Sequence, residues 1–271
     1  LNTRGVFFVP AFAQAVFNVV FSLVIALFSH SFGYYSLIAG VILGGISQAL
    51  FNIPSIIRLG VPLGFSFKLD EDVKLLVKRL IPALLGFGVA QLSFFIDTLL
   101  ASFLALGSIS YLYYANRIFQ LPLGAVSVGI ANSLLAILSR GEDKRANTSL
   151  AVRFVLLIAL PATFGMFILS DHIIALLYGR GKFSEKDILI ASWVLRAYSL
   201  GLVFFSLQKV MSSLFFAKGD TKTPVKASLI AILSEGVLGW LYAFVFDLGV
   251  VGLALGTSSS ALVGFVYLLI N

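Results

Sequence analysis

Long apolar stretches separated by short polar connections make up almost the whole chain. A helix needs about 20 apolar residues to cross a bilayer. Eight stretches meet this length: residues 6–28, 34–57, 82–104, 110–138, 149–169, 188–217, 224–246 and 250–270. Because backbone groups in lipid need hydrogen bonds within their own segment, these stretches are predicted to be helices rather than strands. The predicted fold class is therefore all-α, a polytopic helical membrane protein with eight transmembrane helices.

The composition of the chain supports a membrane protein and excludes several kinds of site. Of its 271 residues, 59% are hydrophobic and 11% are charged, whereas soluble domains are about 25% charged. The sequence contains no cysteine, so disulfides and zinc–thiolate sites are excluded. It has no Walker loop, Ser–His–Asp set or metal-ligand spacing, and we therefore expect no cofactor and no ATP hydrolysis.

Basic residues are distributed unevenly between the two sets of connections. Most of the Lys and Arg residues share a side with Arg4 and the 58–79 connection. The opposite side carries only Arg180, Lys182 and Lys186. Because cytoplasmic loops carry the Lys/Arg excess, the first side is predicted to be cytoplasmic, together with Leu1 and Asn271. This orientation accounts for the net charge of +7 without a nucleic-acid partner.

The longest connection, residues 58–81, has apolar residues at helical spacing, with acidic residues before them and basic residues at the end. This pattern is typical of an amphipathic helix on the membrane surface. We predict a cytoplasmic linker between two bundles, the last two helices of a first bundle at residues 1–57 and six helices of a second at 82–271. The alternative is a cytoplasmic extension of the next span.

Two charged residues lie deep within predicted spans, Asp97 and Arg117. A charge in a membrane helix costs a few kcal/mol on insertion scales and indicates a functional site. Asn116 and Gln120 are helical neighbours of each other beside Arg117, and Pro122 interrupts the helix just beyond them. Because a guanidinium matches phosphate or carboxylate, we predict that Arg117, Asn116 and Gln120 bind an anionic substrate in a hydrated cavity. The alternative is a buried ion pair between Arg117 and Asp97.

Other polar positions within the spans allow more than one interpretation. Asp97 either binds a cation or proton or serves as the partner of Arg117. Lys209 either contacts the substrate or extends its long side chain to the membrane interface. For Arg196 we favour extension to the interface. Glu235 lies in the middle of its span, where it can line a cavity, and the sequence assigns it no partner.

Residues 97–131, DTLLASFLALGSISYLYYANRIFQLPLGAVSVGIA, resemble the seventh and eighth helices of MurJ (MviN)-type lipid II flippases of the MOP exporter superfamily. Four further matches follow the same order: LNTRGVFFVPAFAQAVFNV, the LPATFG and LLYGRGKF run, LGLVFFSLQKVMSSLFFAKGDTKTPV, and GVVGLALGTSSSALV. The resemblance implies that the chain corresponds to helices five to twelve of a fourteen-helix, two-bundle transporter.

This resemblance also implies a function, a substrate and roles for particular residues. Such proteins move lipid II, the undecaprenyl-diphosphate-linked disaccharide–pentapeptide, from the cytoplasmic to the periplasmic leaflet of the bacterial cytoplasmic membrane by alternating access. Arg117 matches an arginine expected to meet the diphosphate in a central cationic cavity. Asp97 matches an aspartate linked to a sodium site in some members, and Thr257 falls near a further ligand of that site. Asn116 departs from a frequent aspartate, and the Asn/Asp pair of helix eleven is not found between Ser234 and Leu241, which weakens the case for Na⁺ or H⁺ coupling.

Other functions are compatible with the apolar pattern. One is a related exporter of drugs or polysaccharide-linked lipids. Another is an intramembrane enzyme that handles polyprenyl phosphates, although the clustered carboxylates or histidines that it needs near a membrane face are not found in the sequence. A third is a membrane scaffold without transport activity, which would tolerate the loss of Arg117 and Asp97.

Overall fold

The computed structural model describes residues 8–60, 91–139 and 144–271. Every regular element within these ranges is helical. The helices are α1 (Phe8–Phe32), α2 (Tyr35–Arg58), α3 (described over Gln91–Ala101), α4 (Ser108–Pro122), α5 (Gly129–Ser139), α6 (Lys144–Tyr178), α7 (Glu185–Ala217), α8 (Lys222–Trp240) and α9 (Gly249–Ile270). The chain divides into two compact units, Leu1–Val73 and Lys74–Asn271. The predicted linker of residues 58–81 lies largely outside the described ranges, and it stays a prediction.

Six helices of the described part are long and apolar enough to cross a membrane: α1, α2, α6, α7, α8 with its π-helical extension, and α9. Large apolar side chains such as those of Phe8, Leu27 and Leu176 are more than two-thirds exposed, as expected for surfaces that face lipid. The all-α membrane fold is confirmed. The predicted count of eight spans is not confirmed, because the third span is described only from Gln91 and a π-helical turn divides the fourth.

The fourth predicted span is interrupted at Pro122, as the sequence predicted. Helix α4 ends at Pro122, a π-helical turn follows over Leu123–Val128, and α5 continues to Ser139. Proline lacks the N–H that an α-helix interior requires, and local widening into a π-turn accommodates the break. The turn is fixed to α7 by the Oγ atoms of Ser127 and Ser206, which lie 2.5 Å apart.

The first unit is a helical hairpin of α1 and α2. Gly33, with φ +51°, provides the turn between them. The two helices pack closely because Gly40 and Gly44 face the rings of Phe21 and Phe17, where a Cβ atom would come within 2.9 and 3.0 Å of ring carbons. Small residues of this kind let apolar helices approach each other in a membrane.

The second unit is built around α7 and α9, each with half of its most apolar window buried. Close backbone approaches bring α9 against its neighbours. A Cβ atom at Gly256 would lie 2.5 Å from Gly239 Cα of α8, and one at Gly201 of α7 would lie 2.8 Å from Ser258 Cα. These contacts place the polar residue that follows Gly256, Thr257, in the interior of the unit, where it is 7% exposed.

Candidate functional site

A cavity of about 160 Å³ lies within the second unit, between α3, α4, α7 and α9. Four of the six predicted site residues line it: Asp97, Asn116, Gln120 and Thr257. Tyr198 of α7 and Ser93 of α3 contribute further polar atoms to the wall. The structure therefore gathers side chains from helices that are far apart in the sequence into one polar chamber among apolar helices.

Asp97 and Thr257 contact each other in this cavity. Thr257 Oγ1 lies 3.2 Å from an Asp97 carboxylate oxygen, to which it donates, although the residues are 160 positions apart. Asp97 is 8% exposed. No basic side chain in the described ranges lies within ion-pair distance of Asp97. The alternative, a buried ion pair between Arg117 and Asp97, is not formed in this conformation, because Arg117 donates to Tyr113 and Asp97 accepts from Thr257.

Glu235 of α8 is a second buried carboxylate beside this group. Ser93 Oγ donates to Glu235 Oε2 at 2.6 Å, and Ser93 lies one helical turn before Asp97 on α3. Glu235 is 3% exposed, and among the described residues its Oε1 atom has no hydrogen-bond partner. The charge in the middle of the span is visible in the sequence, but its partner is not, because Ser93 is 142 positions away.

These residues bring oxygen atoms together, and no basic side chain in the described ranges forms an ion pair with either carboxylate. Two carboxylates and two hydroxyl groups suit a hard cation such as Na⁺, or a proton, rather than a soft transition metal. In the part of the chain that the structure describes, no group of three or more His, Cys, Asp or Glu side chains is placed to hold a metal ion. The two carboxylates and the two hydroxyl groups are therefore candidate ligands for a hard cation or a proton.

Arg117 lies on an exposed part of α4 and does not line the cavity. Its guanidinium donates to Tyr113 Oη at 2.9 Å and lies 4.8 Å from the centroid of the Tyr113 ring. Its neighbour Asn116 faces the cavity and accepts a hydrogen bond from Gln120. Consecutive helical residues point in directions about 100° apart, so the cation and the amide pair occupy adjacent faces of α4.

Lys209 is separated from the other predicted site residues. It is exposed on α7 and does not line the cavity of Asp97 and Thr257. The structure therefore brings four of the six residues together and leaves Arg117 beside them and Lys209 apart. Their roles in binding stay predictions.

Comparison with known proteins agrees with this architecture. The whole chain, residues 1–271, matches the family model described as lipid II flippase MurJ. A probable lipid II flippase MurJ from Aquifex aeolicus is 37% identical over 272 residues, covering 98% of this chain and 54% of that protein. One from Vibrio cholerae is 38% identical over 271 residues, covering 96% and 51%. The chain thus spans about half the length of these relatives.

Solved structures give the same result. A lipid II flippase MurJ in an inward closed conformation superposes with a TM-score of 0.85 at 31% identity, covering 99% of this chain and 57% of that chain. An outward-facing multidrug resistance MATE family transporter of the MOP superfamily gives 0.62 at 18% identity over 69% of this chain and 42% of that chain, a likeness of fold alone. The chain therefore belongs to the lipid II flippase MurJ family.

Proposed function

We propose that the protein containing this chain moves lipid II from the cytoplasmic to the periplasmic leaflet by alternating access, with Arg117 contacting the diphosphate. The observation that carries the proposal is the polar chamber of Asp97, Asn116, Gln120 and Thr257 inside the apolar helices of a MurJ-family chain. Diphosphate and sugars cannot cross hydrocarbon unaided, and such a chamber replaces part of their hydration.

Arg117 is suited to meet the diphosphate because its charge is available. No carboxylate within the described residues forms an ion pair with it, and its one hydrogen bond goes to Tyr113. The remaining N–H donors match the oxygens of a phosphate group in a charge-assisted, bidentate geometry. Asn116 and Gln120 lie one turn apart on the adjacent face of α4, where they can bind sugar or peptide groups of the same substrate.

Alternating access is supported by the fold. Proteins that share this fold have been solved in inward closed and outward-facing conformations. The π-helical turn at Leu123–Val128 divides α4 from α5, and irregular helix of this kind is frequent at functional sites of membrane helices. We infer that α4 and α5 can tilt with respect to each other at this turn while Arg117 stays in contact with its ligand.

We further propose that Asp97 and Thr257 bind Na⁺ or H⁺, with Glu235 as an additional oxygen donor. The unpartnered and buried Glu235 Oε1 is the observation that favours this assignment, because a buried carboxylate oxygen without a partner is costly unless a ligand satisfies it. A bound monovalent cation would supply charge compensation between α3, α8 and α9. The close packing of α9 against α8 at Gly256 holds the oxygen atoms of Asp97, Thr257 and Glu235 near one another.

The first experiment is complementation of flippase-depleted bacteria by the full-length parent protein. We expect Arg117→Ala to abolish growth and Arg117→Lys to restore it partly, because lysine keeps the charge but loses the planar fork. Arg153→Ala, which removes an exposed arginine of α6, is the matched control and should grow normally. Normal growth of Arg117→Ala would refute the assigned role.

A second measurement separates lipid II from the substrates of related exporters. Native mass spectrometry of the full-length parent should detect bound lipid II, and Arg117→Ala should lose most of that adduct. Equal binding of polyprenyl-linked polysaccharide precursors or of cationic drugs, with no preference for lipid II, would favour a related exporter instead.

A further inference from the structure

A second, larger cavity of about 490 Å³ lies where the start of α4, the end of α6 and the start of α7 meet. It is separate from the chamber of Asp97 and Thr257, with which it shares no lining residue. By the charge distribution of the loops, this end of the second unit is predicted to be periplasmic.

One wall of this cavity is aromatic. The ring centroids of Tyr114 and Tyr178 lie 4.6 Å apart, and Phe183 meets Tyr114 edge-on at 5.8 Å. The three rings come from α4, from the last residue of α6 and from the connection before α7, and all three are half-buried. Flat, partly exposed rings of this kind offer an apolar platform, and the C–H face of a sugar ring packs well on such a platform.

The same cavity carries two cations that are free to bind an anion. Arg180 and Lys182 line it and are exposed on either side of Gly181, whose φ of +67° makes the turn. Within the described ranges, neither has a carboxylate within ion-pair distance. The acid in the lining is Asp187, and its oxygens already accept hydrogen bonds from Tyr111 and Ser184. The cavity therefore attracts negative charge.

The aromatic wall also connects this cavity to the predicted substrate arginine. Tyr114 precedes Arg117 by three residues on α4, which places both on one face. Arg117 lies close enough to Tyr178 to act on it electrostatically, and its guanidinium leans toward Tyr113, in the direction of the α4 N-terminus. Tyr114 and Tyr178 line the same cavity as Arg180 and Lys182, so they connect Arg117 to this second group of cations.

We propose that this cavity is a release subsite, which binds the anionic glycan headgroup after it has passed Arg117. The sugar packs against Tyr114, Tyr178 and Phe183, and the diphosphate lies between Arg180 and Lys182. This inference rests on the proposed flippase function and adds a second binding site for the same substrate, on the periplasmic side.

The test uses the purified full-length parent in right-side-out proteoliposomes and a water-soluble probe, the disaccharide–pentapeptide diphosphate without its prenyl chain, added outside. The double variant Arg180→Gln/Lys182→Gln should bind the probe about fivefold more weakly, as expected for two partly exposed charge contacts. Its affinity should also depend less on salt than that of the wild type. Lys186→Gln removes a nearby cation in the first turn of α7 that does not line the cavity, and it should bind like the wild type.

The aromatic wall is tested separately. Phe183→Leu should weaken binding of the probe, whereas Tyr178→Phe, which keeps the ring, should not. The disaccharide without phosphate should compete with the probe. If inorganic pyrophosphate competes fully while the disaccharide does not compete at all, the glycan part of the assignment is overturned.

Failure of the subsite and failure of the proposed function give different results. If Arg180→Gln/Lys182→Gln binds the probe like the wild type while Arg117→Ala abolishes growth in complementation, the subsite is refuted and the flippase function stands. If the wild-type parent does not bind the probe and does not restore growth of flippase-depleted cells, both are refuted. The thermal unfolding midpoint of each variant shows whether the fold is intact.

Discussion

Acidic side chains in two regions of the second unit have very different surroundings. At the helix ends, Asp187 and Asp220 are each surrounded by hydroxyl and backbone N–H donors. Within the spans, and among the described residues, Asp97 accepts a hydrogen bond only from Thr257, and one oxygen of Glu235 has no hydrogen-bond partner. The acids at the ends are thus satisfied by local structure, whereas those in the spans, although more deeply buried, are not.

This difference separates structural acids from functional ones. An acid whose oxygens are filled by neighbouring donors has little capacity left for a ligand. A buried carboxylate with unfilled oxygens raises the free energy of the fold unless a cation or proton compensates it. The oxygens left open at Asp97 and Glu235 are therefore where a coupling ion would stabilise the protein most.

The largest expected effect comes from disturbing the helix packing that builds the span site. In Gly256→Ala the new Cβ would lie 2.5 Å from Gly239 Cα, so α8 and α9 must separate and move Thr257 away from Asp97. Overpacking of this kind costs about 1–3 kcal/mol. We expect a clear drop in the thermal unfolding midpoint of the detergent-solubilised parent.

The matched control is Gly165→Ala, because no atom lies within 4 Å of a Cβ placed at Gly165. It introduces the same methyl group into a membrane helix without a clash, and it should unfold at or above the wild-type temperature. Equal unfolding midpoints for the two variants would show that the approach of α8 and α9 does not hold the span site together.

A smaller effect is expected when the charge of the span site is removed. Asp97→Asn should abolish the rise in unfolding midpoint that Na⁺ gives over choline at equal ionic strength, while the midpoint without Na⁺ stays equal or rises because a buried charge has gone. At ten times the dissociation constant, one bound ion stabilises by about 1.4 kcal/mol.

Glu185→Gln serves as the control for this measurement, since Glu185 is an exposed acid in the first turn of α7. It should keep the full response to Na⁺. If the wild type shows no response to Na⁺ between pH 5 and 8 and also none to pH, cation coupling through Asp97 is excluded.

The sequence predicted the spans but not their full lengths. Apolar length identifies the part of a helix that crosses hydrocarbon, so residues 149–169 were predicted where α6 runs from Lys144 to Tyr178. The helix continues through its polar first turn and through the polar residues Ser170, Asp171 and His172, because backbone hydrogen bonds form equally well outside the bilayer. Hydrophobicity alone therefore cannot locate the end of α6, where Tyr178 enters the aromatic wall.

The candidate site was only partly predictable for a similar reason. A charge in an apolar stretch is visible in the sequence, which is how Asp97 and Arg117 were found. The family resemblance indicated that Thr257 lies near Asp97. The contact of Glu235 with Ser93 was indicated neither by the charge pattern nor by the resemblance, because it depends on how α3 packs against α8. The direction of the Arg117 side chain toward Tyr113 was likewise open, since several residues lie within its reach.

A third prediction concerns an ion pair near the same membrane face as the aromatic wall. Arg196 of α7 pairs with Asp171 of α6 and lies 4.5 Å from the centroid of the Trp193 ring. Its side chain is 17% exposed, so Arg196→Gln should lower stability by about 1 kcal/mol through loss of the pair and the ring contact. Unfolding in detergent measures this loss.

The pair is expected to be structural although Oδ1 of Asp171, like Oε1 of Glu235, has no hydrogen-bond partner among the described residues. What distinguishes Asp171 is that the Arg196 guanidinium neutralises its charge. Arg196→Gln should therefore leave the response to Na⁺ and the binding of the soluble headgroup unchanged. If the variant loses headgroup binding but unfolds like the wild type, Arg196 contacts the substrate and is not a structural residue. The distinction between the helix ends and the span site would then be weaker.

The smallest effect is expected at Asp220, in the connection between α7 and α8. The hydroxyl of Thr223, together with the backbone N–H groups of Thr223 and Lys222, lowers the pKa of this carboxyl. Because the pKa is lower in the folded chain, the carboxylate stabilises the start of α8 at every pH above its unfolded pKa of about 3.9. That contribution disappears only as the pH falls through the folded pKa.

Asp220→Asn removes the carboxylate charge at neutral pH, as protonation does in the wild type at low pH, so the start of α8 should be less stable. We expect faster hydrogen exchange at the amides of Lys222 and Thr223, which donate to Asp220 Oδ1 at 2.9 and 3.1 Å, with little change in the unfolding midpoint. Asp247→Asn is the control, since Asp247 is exposed at a left-handed position, φ +54°, which asparagine also tolerates. If the amides of residues 222 and 223 exchange hydrogen at the same rate in the two variants, the hydrogen bonds to Asp220 do not stabilise the start of α8. Asp220 could then no longer serve as an example of a structural acid.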